Sequence, residues 1–306
     1  ATAVAIIMLG AGIGTLGSTI NPFATVIASN AAGVPFTNGI LLRFAILGLG
    51  WLACVAYVMR YAQRVKADPQ RSIVADRLAE HREHFLKGRE AEGTPALTLV
   101  RKIVLVIFAL SFAVMIYGVA VVGWWMAEMS ALFLAAALVV GIIARMGEEE
   151  FTTTFVNGAR DLLGVALVIG IARGIVVIMD SGMITDTILY WSEQAVSGLG
   201  DVAFINSMFG VQLVLSFFVP SSSGLAVLTM PIMAPLADFS GVDRDLVVTA
   251  YQSANGLLNL VNPTFAVVMG GLAIGRVPYD RWFRFMVPLM VILAVLIIAL
   301  LSLATL

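Results

Sequence analysis

Charge is scarce in this sequence. Only 12% of its 306 residues are Asp, Glu, Lys or Arg, against about 25% in an ordinary soluble domain. A soluble fold of this length has to cover a large wetted surface with polar groups, so the shortage excludes a water-exposed globule and points to lipid. The single cysteine, Cys54, excludes a disulfide framework and any paired-cysteine redox motif; set in an apolar run, it reads as a packing residue. The two histidines, His81 and His84, lie in the charged section ADRLAEHREHFLKGRE with no third ligand nearby, so they belong to a solvated surface helix rather than a metal site. A net charge of −1 leaves no basic footprint for nucleic acid. A basic leader is lacking too: the chain opens at Ala1 inside an apolar stretch without an initiator methionine, as expected of a fragment of a longer protein.

Apolar sequence is what the chain has in excess, with 60% hydrophobic residues and a mean hydropathy of +0.99. Runs long enough to span a bilayer, about 20 residues each, occur near 3–30, 40–59, 103–123, 130–145, 161–180, 245–275 and 285–304. The stretch 60–102 concentrates Lys and Arg and is therefore placed in the cytoplasm. With that side fixed, a single crossing at 202–239 would put Arg276, Arg281 and Arg284 outside, whereas a segment that enters and returns keeps them inside. The break Val219-Pro220-Ser221-Ser222-Ser223-Gly224 divides that segment into two apolar arms, the pattern of a re-entrant hairpin whose new helix begins near Leu225.

The two ends of the chain resemble each other. GSTINPFATVIASNAAGVPF (17–36) aligns with NLVNPTFAVVMGGLAIGRVPY (259–279), Asn21-Pro22 on Asn262-Pro263 and Gly33-Val34-Pro35-Phe36 on Gly275-Arg276-Val277-Pro278-Tyr279. The predicted topology runs the copies in opposite directions, and inverted repeats with discontinuous helices are a signature of secondary transporters. A hairpin matching 202–239 is then expected upstream of Ala1.

Asn-Pro inside an apolar helix removes a backbone hydrogen bond and leaves carbonyls and amides to be satisfied by something polar. Ser18, Thr19, Asn21 and Pro22 surround the first break; Asn255, Asn259, Asn262, Pro263 and Thr264 surround the second. Their oxygens suit a small hard cation such as Na⁺, here at Ser222, Asn259 and Asn262, and the helix N-termini that follow favour a carboxylate. Ser221, Ser222, Ser223 and Gly224 add hydroxyls and amides at the hairpin tip. Arg173 lies deep in an apolar span, where a charge is costly unless paired or wetted; it positions substrate or hairpin, pairs with Asp161 or Asp180, or snorkels. Gly12-Ile-Gly14-Thr-Leu-Gly17 matches a dinucleotide fingerprint but lacks the preceding strand and the following acid, so its glycines serve helix packing. No catalytic triad, zinc ligand set or phosphate loop is present, and no nucleophile and base share a depth.

FFVPSSSGLAVLTMPIMAPLADFSGVDRDLVVTAYQSANGLLNLVNPT, followed by GRVPYDRWFRF, resembles the anaerobic C4-dicarboxylate carrier and basic amino-acid antiporter group of the ion transporter superfamily, and GIARGIVVIMDSGMITDTIL and GSTINPF extend the likeness over nearly the whole chain. The resemblance implies an elevator-type inverted-repeat carrier, often a homodimer, coupled to Na⁺ or H⁺ or working by exchange. It also implies binding at Ser221–Gly224 and Asn259–Thr264, with Ser18, Thr19 and Asn21 as the pseudo-symmetric contribution. The expectation is thus an all-α polytopic protein of the cytoplasmic membrane, not an enzyme and without a cofactor beyond a coupling Na⁺. Residues 1–59 would end the first inverted repeat and 60–102 form a cytoplasmic linker. The second repeat, 103–306, would comprise scaffold helices 103–145, transport-domain helix 161–180, re-entrant hairpin 202–239, broken helix 245–275 and terminal helix 285–304. The expected cargo is a small carboxylate-bearing metabolite. An arginine/ornithine-type antiporter is the alternative within the class, and an ion channel the alternative outside it.

Overall fold

The computed structural model describes the chain except residues 20, 87–96, 119–121, 123, 125, 185, 188–189, 192–193, 195–197 and 306, and except the side chains of 22, 23, 86, 116, 126, 161–162, 164–166, 168–173, 175–176 and 180. The described residues form helices and connecting turns, with no strand among them. In chain order the helices are α1 (Thr2–Leu16), a π turn (Pro22–Val26) leading into α2 (Ile27–Ala32), α3 (Ile40–Ala67), α4 (Leu78–Leu86), α5 (Leu99–Tyr117), α6 (Met126–Ile143) and α7 (Glu148–Ser181). They continue with α8 (Asp201–Phe218), α9 (Ser222–Phe239), α10 (Arg244–Leu258), α11 (Ala266–Ile274) and α12 (Tyr279–Ala304). Among the described residues four helices, α3, α8, α9 and α12, are long and apolar enough to cross a membrane.

The chain divides into two compact units, Ala79–Asp161 and the remainder, Ala1–Leu78 with Leu162–Leu306. In the smaller unit α5 and α6 pack through an aromatic contact, Phe112 on Phe133 with ring centroids 5.4 Å apart. In the larger unit α10 is the central helix, buried continuously from Leu246 to Leu257 against α1, α8 and α9. Close approach depends on missing side chains: a Cβ on Gly256 would collide with the Leu16 backbone, and one on Gly17 would stand 2.5 Å from Leu47 Cα. Gly12 likewise faces Leu260, so two of the three glycines in the false dinucleotide fingerprint serve packing, while Gly14 has open space.

The larger unit has an apolar core that also encloses a set of polar side chains, and its outside is rich in apolar ones. Thr25, Gln252 and Asn255 are fully buried, whereas Ile7, Leu41 and Phe239 are more than 70% exposed. A fold solvated by hydrocarbon has this distribution, because lipid tails accept apolar side chains and polar groups must find one another.

Several boundaries differ from those read off hydropathy, α12 for one beginning at Tyr279 and not near 285. Helix α3 continues past residue 59 to Ala67, since Arg60, Arg64 and Lys66 are good helix formers once the helix leaves the apolar run. Helix α7 begins at Glu148 instead of near 161, with three glutamates in its first turn complementing the helix dipole. Helix α9 begins at Ser222 and not near Leu225, because Ser221 caps it: its hydroxyl accepts the Gly224 amide at 3.1 Å. The interruption is therefore shorter than PSSSG, and Ser222 and Ser223 occupy the first turn of the new helix.

Candidate functional site at the broken helices

The second break unwinds the chain between α10 and α11. Asn262 organises it: its Nδ2 donates to the Ser216 carbonyl on α8 (3.2 Å), and its Oδ1 accepts from both the Thr264 amide (3.1 Å) and the Thr264 hydroxyl (2.8 Å). This local ring replaces the helical bonds that Pro263 forbids. Carbonyls freed by the break are taken from outside the loop, Leu260 by the Trp282 indole at 3.0 Å and Val261 by the Tyr279 hydroxyl at 2.8 Å, both from the start of α12.

One turn earlier the loop is joined to a ladder of amides. Asn259 Nδ2 donates to Asn255 Oδ1 (3.1 Å), and Asn255 Nδ2 donates to the Ser216 hydroxyl (3.4 Å). Among the described residues the buried Asn259 Oδ1 has no partner, and neither do the Ser253 hydroxyl and both amide atoms of Gln212, which lies one turn before Ser216 on α8. An unpaired buried polar atom costs about 1–3 kcal/mol, so these groups form a reserve of donors and acceptors available to a polar ligand. A bare amide oxygen at Asn259 fits a hard cation; Asn262 Oδ1, already accepting twice, fits one less well.

The first break stays more compact. The chain passes through a π turn, with the Val26 amide bonded to the Asn21 carbonyl at 3.1 Å. Ser18 accepts the Asn21 amide at 3.3 Å, and the Thr25 hydroxyl lies within 3.3 Å of the Ser18 carbonyl, the Ser18 hydroxyl and Gln252 Oε1. Gln252 also donates from Nε2 to the Thr15 carbonyl. Gln252 thereby ties α10 to the first break, while its neighbour Tyr251 donates to the Ser222 carbonyl at the start of α9.

The predicted residues therefore fall into groups. Asn255, Asn259, Asn262 and Thr264 share one hydrogen-bonded network with Ser216, and Pro263 sits half-buried within that loop. Ser18 and Asn21 lie in a second network with Thr25, next to half-buried Thr19; Pro22 opens the π turn, its ring outside the described side chains. At the tip, Ser221 and Gly224 are exposed and Ser222 and Ser223 half-buried, and the Ser222 carbonyl accepts from Tyr251 of α10. Arg173 falls within α7, but its side chain lies outside the described residues.

Sequence reasoning missed Ser216, Gln212, Tyr251 and Gln252. The visible signal was Tyr251-Gln252-Ser253-Ala254-Asn255, a cluster of polar tips inside a buried helix. It also missed Arg43, which is 1% exposed in α3 and donates to the Asn38 carbonyl at 2.8 Å, the Phe36 carbonyl and the Thr249 hydroxyl at 3.5 Å. Arg244, paired with Asp238 at 2.5 Å, donates to the Ala32 carbonyl at 3.0 Å. These two arginines fasten the chain between Ala32 and Arg43 to the first turns of α10.

Interrupted helices, a buried polar lattice and an apolar exterior define a membrane transport protein. The chain belongs to the C4-dicarboxylate anaerobic carrier family, whose profile matches residues 1–306. An uncharacterized protein of Haemophilus influenzae strain Rd is 44% identical over 283 residues, covering 92% of this chain and 55% of that relative. A protein of Escherichia coli K12 provisionally named a basic amino acid antiporter, YfcC, is 34% identical over 294 residues, covering 92% of this chain and 57% of that relative. The chain thus spans about half the length of the curated relatives it matches. No solved structure matches it.

Proposed function

We propose that this chain forms the substrate-bearing part of a secondary active carrier for a small carboxylate-bearing metabolite of the C4-dicarboxylate type, in the cytoplasmic membrane, driven by an ion gradient or by exchange. The observation that carries this reading is the second break. There Asn255, Asn259 and Asn262 converge with Ser216, and Asn259 Oδ1 is left without a partner. Amide donors and the amide groups at the start of α9 suit a carboxylate, and the bare oxygen suits a coupling Na⁺. The inverted repeat of 17–36 and 259–279 supports alternating access, with 202–239 acting as a re-entrant hairpin in an elevator-type movement against scaffold helices and the functional unit a homodimer.

The similarity to a relative provisionally named a basic amino acid antiporter favours a second reading, exchange of arginine- or ornithine-like substrates. That reading requires acidic side chains at the site, and Asn255, Asn259 and Asn262 supply none.

Uptake of labelled succinate, fumarate, arginine and ornithine into proteoliposomes, with and without a Na⁺ gradient, tests the proposal. Saturable dicarboxylate uptake lost in Asn262→Ala is the expected result. Saturable uptake of arginine alone supports the second reading. Steady non-saturating flux indicates a channel.

A further inference from the structure

Away from the broken helices, a cavity of about 650 Å³ opens where the end of α3 meets α12 and the turn at 69–73. Four of its lining residues, Tyr57, Arg60, Tyr61 and Arg64, follow the i, i+3, i+4, i+7 spacing that places them on one face of α3. Arg71 faces them from the turn, and Phe285 and Ile292 of α12 close the other side. Among the described residues no carboxylate lines this space. Arg71 is held in part by Asp68 at 3.3 Å, while Arg60 and Arg64 have no ion pair among the described residues.

The tyrosines fix the cavity's shape and supply one more donor. Tyr57 donates to the Phe285 carbonyl at 2.5 Å, and both rings rest on Phe285, with centroids 5.1 and 4.8 Å away. The Tyr61 hydroxyl accepts the Ile73 amide at 3.1 Å, which leaves its own proton uncommitted. The result is a donor-only lining of guanidinium groups and one hydroxyl, suited to a ligand group that only accepts hydrogen bonds.

One wall is apolar and faces outward. Ile292 is 50% exposed and lies beside Val291 and Val295, which are more exposed still, along the membrane-crossing helix α12. Arg60 and Arg64 stand where the apolar run of α3 gives way to charge. A guanidinium cage that opens onto a lipid-facing helix at the edge of the hydrocarbon zone matches a ligand with an anionic head and hydrocarbon tails.

We infer that this cavity binds the phosphate headgroup of an anionic glycerophospholipid, with Arg60 and Arg64 as the principal contacts and the acyl chains lying along α12. The inference requires membrane residence and is independent of the transported substrate. Each guanidinium contributes about a fivefold factor in affinity, so two together contribute on the order of 25-fold.

Native mass spectrometry of the full-length chain, delipidated and then titrated with phosphatidylglycerol or phosphatidylcholine, tests it. The expected result is retention of phosphatidylglycerol over phosphatidylcholine, weakened by about 25-fold in Arg60→Gln/Arg64→Gln and about fivefold in Arg64→Gln alone. Both arginines are exposed, so the variants should keep the wild-type melting temperature in phosphatidylcholine nanodiscs. Equal retention of the two lipids, or unchanged phosphatidylglycerol binding in the double variant, would overturn the inference. Displacement of phosphatidylglycerol by millimolar inorganic phosphate would identify a free-anion site instead, and displacement by succinate a carboxylate site; either overturns the lipid assignment.

Discussion

The same dipeptide interrupts two helices in this chain, and the two interruptions are resolved differently. At Asn21-Pro22 the backbone remains wound as a π turn, and small hydroxyl side chains, Ser18 and Thr25, close over the freed groups. At Asn262-Pro263 the helix opens into a loop, its carbonyls are held by Trp282 and Tyr279 from another helix, and Asn259 Oδ1 remains unpaired. Closing a break from within consumes its polar groups. Holding it open from outside leaves some of them free for a ligand. The first break thus serves mainly to tie α10 in place through Gln252, and the second is the break to which the proposed function assigns the substrate.

Mutations can break this contrast, and the largest effect belongs to Asn262. Asn262→Ala removes three side-chain hydrogen bonds at once and leaves the Ser216 carbonyl buried. A loss of about 1–3 kcal/mol corresponds to roughly 5- to 150-fold in transport, read as uptake in proteoliposomes. Gln252→Leu comes next. It removes one donor from the Thr15 carbonyl, which keeps the Ser18 amide, and one acceptor from the Thr25 hydroxyl, which keeps Ser18, and it should lower the melting temperature by the equivalent of about 1–3 kcal/mol for the two lost bonds while leaving the substrate KM near wild type. Thr25→Val, which keeps the shape and deletes only the hydroxyl, should cost about 1 kcal/mol of stability with transport retained. A large rise in KM in either first-break variant would erase the distinction between the two breaks.

The smallest effect is expected at a latch behind the second break. Arg281, one residue before Trp282, forms a bidentate pair with Asp76 and donates to the Ile73 carbonyl at 3.1 Å. That pairing holds the Asp76 carboxyl down at about 2. A depressed carboxyl contributes stability that is complete above its ordinary value near 4 and is lost as pH falls toward 2. Between pH 5 and 8 the latch should therefore be constant. Asp76→Asn should loosen the 68–78 turn to limited proteolysis by a small factor at neutral pH, and it should remove the acid sensitivity of that cleavage seen in the wild type below pH 4.

The sequence made the breaks visible because Asn-Pro in an apolar run has few structural explanations, and the three asparagines of the second break stand out for the same reason. Helix α9 started three residues earlier than read, since the capping role of Ser221 depends on a hydroxyl-to-amide distance that composition cannot show. The partners of Gln252 and Arg43 were hidden for a related reason. Each acts on backbone carbonyls, Thr15 on another helix for one and Phe36 with Asn38 in the turn just before α3 for the other, and a carbonyl carries no letter. Gln212 resembles any polar residue in a helix until its burial and lack of partners are seen.

Cysteine labelling with substrate protection tests the central contrast most directly. In a Cys54→Ala background, Thr264→Cys and Thr19→Cys are each reacted with a membrane-permeant thiol reagent across a range of dicarboxylate concentrations. The account predicts that labelling at 264 slows with a midpoint that tracks the KM for uptake, while labelling at 19 changes little. Protection at 19 with none at 264 would contradict it.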